Sequence, residues 1–266
     1  MNVTLGDTSF TYDIFGPSSG VPIIFLHGFP LNRRMWNPQL PDLKDRYRLF
    51  LYDQRGHGQT RSDDLPYTFE TLVDDFFALL DYWKIDKPVI CGISMGGYVA
   101  LRAYERDPER LGGLFLCDTR SEADSNEIKL KRAASLTLLK EKGVADFAEG
   151  FLKSAISPAL FSGSLEKLQW IREMVLENDR HAVAATLVAL ASRTDTSATL
   201  SKIRIPAHIV VGEVDPLIPL SAAKALQDSI QGAGFTLIPN AAHFPNIENA
   251  EAFNTTLLKF LAQFPS

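Results

Sequence analysis

The amino-acid sequence predicts an α/β protein built on an eight-stranded, mostly parallel sheet flanked by helices. Three observations lead there. Short β-rich runs alternate with helix-like segments along most of the chain, the pattern of strand–helix–strand units. A turn, Gly92-Ile93-Ser94-Met95-Gly96, joins an apolar run to a helix so sharply that small residues are needed on both sides of its centre. A chain of 266 residues with 45% hydrophobic composition can form one large sheet covered on both faces.

The elements follow in order. Asn2 to Leu5 and Ser9 to Phe15, separated by Gly6-Asp7-Thr8, read as an antiparallel hairpin. Pro22 to His27, Tyr47 to Asp53, Pro88 to Ile93 and Gly113 to Asp118 are apolar runs of the kind buried on both faces of a sheet. Ala207 to Gly212 and Gly234 to Pro239 complete the eight. Helical segments at Thr68 to Trp83, Gly97 to Glu105, Ser221 to Asp228 and Ala250 to Phe264 connect or follow them.

Between Arg120 and Thr196 the alternation stops. Helix-like stretches at Asp124 to Lys142, Asp146 to Ser157, Ser164 to Asn178 and Asp179 to Arg193 succeed one another without a strand. Asp124 with Glu127 three residues on resembles a capping box, and Ser164 with Lys167 keeps the first half of that pattern. The expected organisation is a core of residues 1–120 and 197–266, with a helical cap over 121–196 inserted after the sixth strand and roofing the C-terminal edge of the sheet.

Charge and composition exclude several functions. A net charge of −5 without a run of Lys and Arg argues against nucleic acid or anionic membrane as partner; Lys129, Lys131 and Arg132 read as the solvated face of a helix. No apolar stretch follows a basic start, and the longest nearly apolar segment, Ala182 to Ala191, falls short of the ~18 residues a membrane span needs, so a cytoplasmic protein without membrane insertion is expected. Cys91 and Cys117 sit inside strands and read as buried free thiols. The five histidines show no paired spacing with carboxylates, so no metal site is expected. Monomer and homodimer are both open.

The Gly92–Gly96 turn presents the Ser94 hydroxyl at a helix N-terminus, where the Met95 N–H and the helix dipole stabilise charge developing on a substrate oxygen. Asp215 closes one strand-like segment, and His243 follows the next. Nucleophile, acid and base therefore run in the order Ser, Asp, His.

By these residues the chain resembles the α/β-hydrolase superfamily over nearly its whole length, closest to small cofactor-free carboxylesterases and 3-oxoadipate enol-lactonase-like hydrolases. His27-Gly28-Phe29-Pro30 is similar to the family's oxyanion loop, Asp53-Gln54-Arg55-Gly56-His57-Gly58 to the turn after its fourth strand, and Val211-Gly212-Glu213-Val214-Asp215-Pro216 to its acid loop. Asn240-Ala241-Ala242-His243 resembles the histidine loop, with alanine where many members carry glycine. The resemblance implies an α/β-hydrolase fold, a catalytic Ser94–His243–Asp215 triad, the Phe29 and Met95 N–H groups as oxyanion donors, and no cofactor. Some members put the acid after the sixth strand, where this chain has Asp118; Asp215 is the preferred assignment. His57 is expected to fix its loop through hydrogen bonds.

The expected chemistry is acyl transfer. Ser94, relieved of its proton by His243, attacks an ester carbonyl, and water later releases the acid. A carboxylesterase for small to medium acyl groups leads. An enol-lactonase or C–C bond hydrolase with the same triad is the alternative, and a non-catalytic ligand receptor the third. Ser94 in the elbow disfavours epoxide and haloalkane hydrolysis, whose relatives carry Asp there. Candidate pocket residues are His27, Trp36, Arg120, Phe147, Phe151 and Leu217, with Arg120 able to meet a substrate carboxylate.

Overall fold

The computed structural model describes residues 1–62 and 65–264; residues 63, 64, 265 and 266, which the expected core includes, lie outside the described residues. In chain order the strands are β1 (Asn2–Leu5), β2 (Thr8–Phe15), β3 (Pro22–Leu26), β4 (Arg48–Tyr52), β5 (Arg61–Ser62), β6 (Val89–Ile93), β7 (Gly113–Cys117), β8 (Ala207–Gly212) and β9 (Gly234–Ile238). The sheet runs β1-β2-β4-β3-β6-β7-β8-β9, with two-residue β5 pairing β2 beside the path. Thus the eight expected strands are present and β5 is additional. The opening hairpin is antiparallel, with Asn2 opposite Thr11 and Gly6 in the left-handed conformation that the turn needs (φ 60°). Strand β2 runs antiparallel to β4, and every pairing from β4 through β9 is parallel.

Parallel pairing puts the loops that leave β3, β4, β6, β7, β8 and β9 on one edge of the sheet. Its central strands β6 and β7 are buried along their whole length, as an apolar run without alternation requires. Cys91 and Cys117 lie on these neighbouring strands as free, buried thiols.

The helices are α1 (Leu40–Leu43), α2 (Phe69–Trp83), α3 (Met95–Arg106), α4 (Asn126–Ala155), α5 (Pro158–Gly163), α6 (Leu165–Leu176), α7 (Arg180–Ala191), α8 (Ser197–Leu200), α9 (Leu220–Ser229), α10 (Pro245–Glu248) and α11 (Ala250–Leu261). A 3-10 helix, Arg33–Gln39, precedes α1. Thr68 caps α2 reciprocally with Thr71, and Lys84 ends it in the left-handed conformation. Among the described residues no helix is long and apolar enough to cross a membrane.

Helices α4 to α8 separate β7 from β8. The two expected helices at their start are the two halves of α4, which meet at a kink at Gly143, whose φ of 85° and ψ of −176° only glycine adopts with ease. The capping box expected at Asp124 is not formed: Ser125 caps α4 by accepting the Ile128 N–H, while Asp124 is buried between Arg132 and Arg193. Two guanidinium groups compete better for a buried carboxylate than a helix N–H does. Burial alone would raise this carboxyl, yet the hydrogen bond and charge of Arg132, with Arg193, hold it below its ordinary value. Ser164 caps α6 as expected, accepting the Lys167 N–H. The excursion closes on itself at its base, where Thr196 N–H donates to Ser121 O at 3.0 Å and the Ser121 and Ser197 hydroxyls are 2.9 Å apart.

Candidate active site

Ser94 sits between β6 and α3 in a strained backbone conformation, φ 51° and ψ −113°. The flanking glycines are steric necessities: a Cβ at Gly92 would lie 2.5 Å from Gly96 O, and one at Gly96 would lie 2.1 Å from Leu26 O. The turn is held by Ser94 N–H donating to Cys117 O and by the Thr119 hydroxyl donating to Ser94 O, each at 2.9 Å. Met95 begins α3, so its N–H belongs to the first turn, where amides have no partner within the helix.

The loop after β3 lies against this turn, close enough that a Cβ on Gly28 would be 3.4 Å from Ser94 Cβ. His27 braces the loop from behind. Its Nε2 accepts the Gln54 N–H at 2.9 Å, which leaves Nδ1 to donate toward Gly28 O at 3.1 Å, and Gln54 Nε2 returns a bond to His27 O at 2.7 Å. His57 gives Nδ1–H to Arg55 O, and its ring meets Phe29 edge-on at 5.9 Å. Burial pushes the pKa of His27 down to about 4, the charge of Arg33 adding to the fall, and that of His57 to about 3, where the neighbouring His27 adds to it.

Asp215 and His243 come from the loops after β8 and β9. His243 Nδ1 and Asp215 Oδ2 are 2.8 Å apart, both side chains buried, and Asp215 Oδ1 accepts the Leu217 N–H at 2.8 Å. Burial favours the neutral acid, but attraction to the His243 ring and the hydrogen bonds it accepts hold Asp215 below its ordinary pKa. Gly212 must be glycine, because the Ala242 carbonyl oxygen stands 2.0 Å from where its Cβ would be. The backbone N–H of His243 donates to Ala155 O at 3.0 Å, tying the histidine loop to the end of α4. Asp118, the other strand-end acid, is fully buried next to Asp215.

Ser94 and His243 open on one cavity of about 450 Å³. Of the six pocket candidates, Arg120, Phe147, Phe151 and Leu217 line it; Trp36 and His27 do not. Trp36 is fully buried between Phe25 and Phe253, because the 3-10 helix that carries it turns back over β3 and α11. His27 points behind the loop instead of into the cavity, its ring taken up by Gln54. Tyr98, Leu187, Leu190 and Ile218 also form the wall, and the first half of α4 adds Ile128, Lys131, Arg132 and Ser135. Tyr98 is legible in hindsight, one helical turn beyond Ser94. Leu187 and Leu190 on α7 depend on how that helix crosses the site, which periodicity does not carry. Arg120 sends Nη2 to Leu217 O, while its buried Nε has no partner among the described residues.

A sequence model described as "Alpha/beta hydrolase family" matches residues 23–256. 3-oxoadipate enol-lactonase 2 of Acinetobacter baylyi is 27% identical over 98% of this chain and 96% of its own length. Among solved structures, a thermophilic esterase from Thermogutta terrifontis with malate bound superposes with a TM-score of 0.92 at 31% identity, covering 98% of this chain and 96% of that one. The enol-lactonase from Burkholderia xenovorans LB400 superposes with a TM-score of 0.92 at 27% identity, covering 99% and 100%.

Proposed function

The chain belongs to the alpha/beta hydrolase family, and from that premise we propose that it is a serine hydrolase cleaving carboxylic esters of small to medium acyl groups through an acyl-enzyme. One observation carries the reading: Ser94, in a strained turn at the head of α3, shares its cavity with a His243 ring whose Nδ1 is bonded to the buried Asp215 carboxylate. With Nδ1–H directed at Asp215, Nε2 is the free base. It takes the Ser94 proton as Oγ attacks the carbonyl carbon, and the negative charge passes to the carbonyl oxygen. The N–H groups of Phe29 and Met95 receive that oxyanion, each donor worth about 3 kcal/mol of barrier. As the tetrahedral intermediate collapses, His243 returns the proton to the leaving alcohol. The same base then deprotonates the water that releases the acid. Asp215 keeps its charge throughout and stabilises the imidazolium.

Helices over residues 121–196 act as a cap, supported by the two halves of α4 and by α7, which wall the cavity, and by the His243–Ala155 tie. Two buried free thiols suit work in the cytoplasm. A second reading, an enol-lactonase, is favoured by Arg120: a cation in the cavity wall fits an acid-bearing lactone, and two of the relatives compared above bear that name. The test is turnover of p-nitrophenyl acetate and butyrate before and after a serine-directed phosphonate. Loss of activity as mass spectrometry finds the label on Ser94, with Ser94→Ala at least about 10³-fold slower, supports the mechanism. Undiminished activity in Ser94→Ala overturns it.

A further inference from the structure

A buried acid beside the triad, Asp118, has no part in it. Asp118 follows the last residue of β7 in the left-handed region (φ 43°) and is fully buried. Its Oδ1 accepts the Gly212 N–H at 2.8 Å, and its Oδ2 meets no donor among the described residues. Asp118, Asp215 and His243 each contribute one side-chain atom to a cluster whose atoms all lie within 4.8 Å of one another. Two carboxyl groups so close, shielded from water, do not both ionise, because little screens their repulsion. The charge belongs to Asp215, which faces the His243 ring and accepts the Leu217 N–H.

We propose that Asp118 is a positioning residue that stays protonated: its Oδ2–H donates to the Asp215 carboxylate, so that the two acids share one proton and Asp215 offers His243 a fixed, single negative charge. The inference rests on the triad reading above. The groups set against Asp118 agree with it. Asp215 comes from the loop after β8, His243 from the loop after β9, and the Cys117 thiol from its own strand, where burial pushes it well above its ordinary value and keeps it neutral. Arg120, the next cation along the chain, has its guanidinium directed to the Leu217 carbonyl. Among the described residues, Asp118 thus has an anion on one side and no Lys or Arg to favour its own ionisation. Burial raises its carboxyl well above the carboxylate range, and the charge of Asp215 adds to the rise.

The proton on Asp118 has a kinetic consequence. A second anion behind the imidazole would stabilise its charged form and move the acid limb of kcat/KM to higher pH. A neutral donor adds no such charge and instead fixes the orientation of Asp215. Asparagine can replace the protonated acid, its Nδ2 donating to Asp215 and its Oδ1 accepting from Gly212.

Two measurements on the whole protein decide the matter. In protein labelled with 13C-aspartate, the Asp118 Cγ resonance, assigned by its loss in Asp118→Asn, is expected to hold the carboxylic-acid position at pH 7. In p-nitrophenyl butyrate kinetics, Asp118→Asn is expected to keep its acid limb within about 0.3 pH unit of the parent and kcat within about three-fold, whereas Asp118→Ala loses about ten-fold in kcat at unchanged KM. A carboxylate resonance at pH 7, or an acid limb displaced downward by about one unit in Asp118→Asn, overturns the proposal. Absence of ester turnover in the parent would count against the triad reading, and the resonance would still decide where the proton sits.

Discussion

Gly96 tolerates no side chain, because the atom that alanine adds would overlap the Leu26 carbonyl. Gly96→Ala is therefore expected to cost about 3 kcal/mol or more, read as a fall in the urea midpoint. Gly163 provides the contrast: it ends α5 with nothing within 4 Å of its added Cβ, so Gly163→Ala should gain about 0.5–1 kcal/mol of helix stability. Arg120 tests substrate choice. If its guanidinium meets an acid-bearing substrate, Arg120→Gln raises KM about ten-fold for a p-nitrophenyl monoester of a dicarboxylic acid and leaves p-nitrophenyl butyrate unchanged, a charged hydrogen bond being worth about 1.5–3 kcal/mol; equal effects on both esters would remove the enol-lactonase reading. At this scale the sequence was informative wherever function constrains the backbone. The elbow needs two glycines, and strand ends fix where Asp215 and His243 emerge, so the meeting of His243 with Ser94 at one cavity, with Asp215 bonded behind the ring, was legible. Trp36 and His27 were not, because a side chain's direction out of an irregular loop is decided by what packs behind it, here Phe253 and Gln54.

Among the elements, α4 has two unlike halves joined at Gly143. The half before the bend keeps only Leu139 buried and carries cavity-lining Ile128 and Ser135; the half after it buries Phe147, Ala148 and Leu152. A Cβ at Gly143 would meet nothing within 4 Å, so the cost of alanine there is one of backbone conformation alone, about 1–3 kcal/mol. Gly143→Ala is expected to raise KM for butyrate esters several-fold while kcat holds, since the displaced half walls the cavity and carries none of Ser94, Asp215 or His243. Unchanged KM would show that this half does not shape the binding space. The break at Gly143 was readable from the sequence, whereas β5 was not: two residues offer no period, and Arg61–Ser62 becomes a strand only because Thr8 and Ser9 are there to pair with.

For the molecule as a whole, the two neutral histidines His27 and His57, packed around the loop after β3, set a limit in acid. His27 and His57 have folded-state pKa values depressed to about 4 and about 3. Below the ordinary histidine value of about 6.5 the unfolded chain takes up protons that the folded one refuses, so stability falls as pH drops. Between pH 6.5 and 5 the loss is about 2 kcal/mol for each ring, and urea unfolding at pH 7 and pH 5 should differ by about 4 kcal/mol from this pair. His57→Asn should remove its share of that slope. The parallel core of the sheet was legible because each central strand is an unbroken apolar run, whereas the strand order, with β4 between β2 and β3, requires the three-dimensional structure. The pinched base of the helical excursion, with Ser121 and Ser197 joined hydroxyl to hydroxyl, has a consequence for descent. A loop whose two ends already meet adds closure entropy only as the logarithm of its length, so whole helices can be gained, lost or exchanged there without disturbing a strand. Substrate range can thus diverge by swapping one module while the reactive groups are inherited intact.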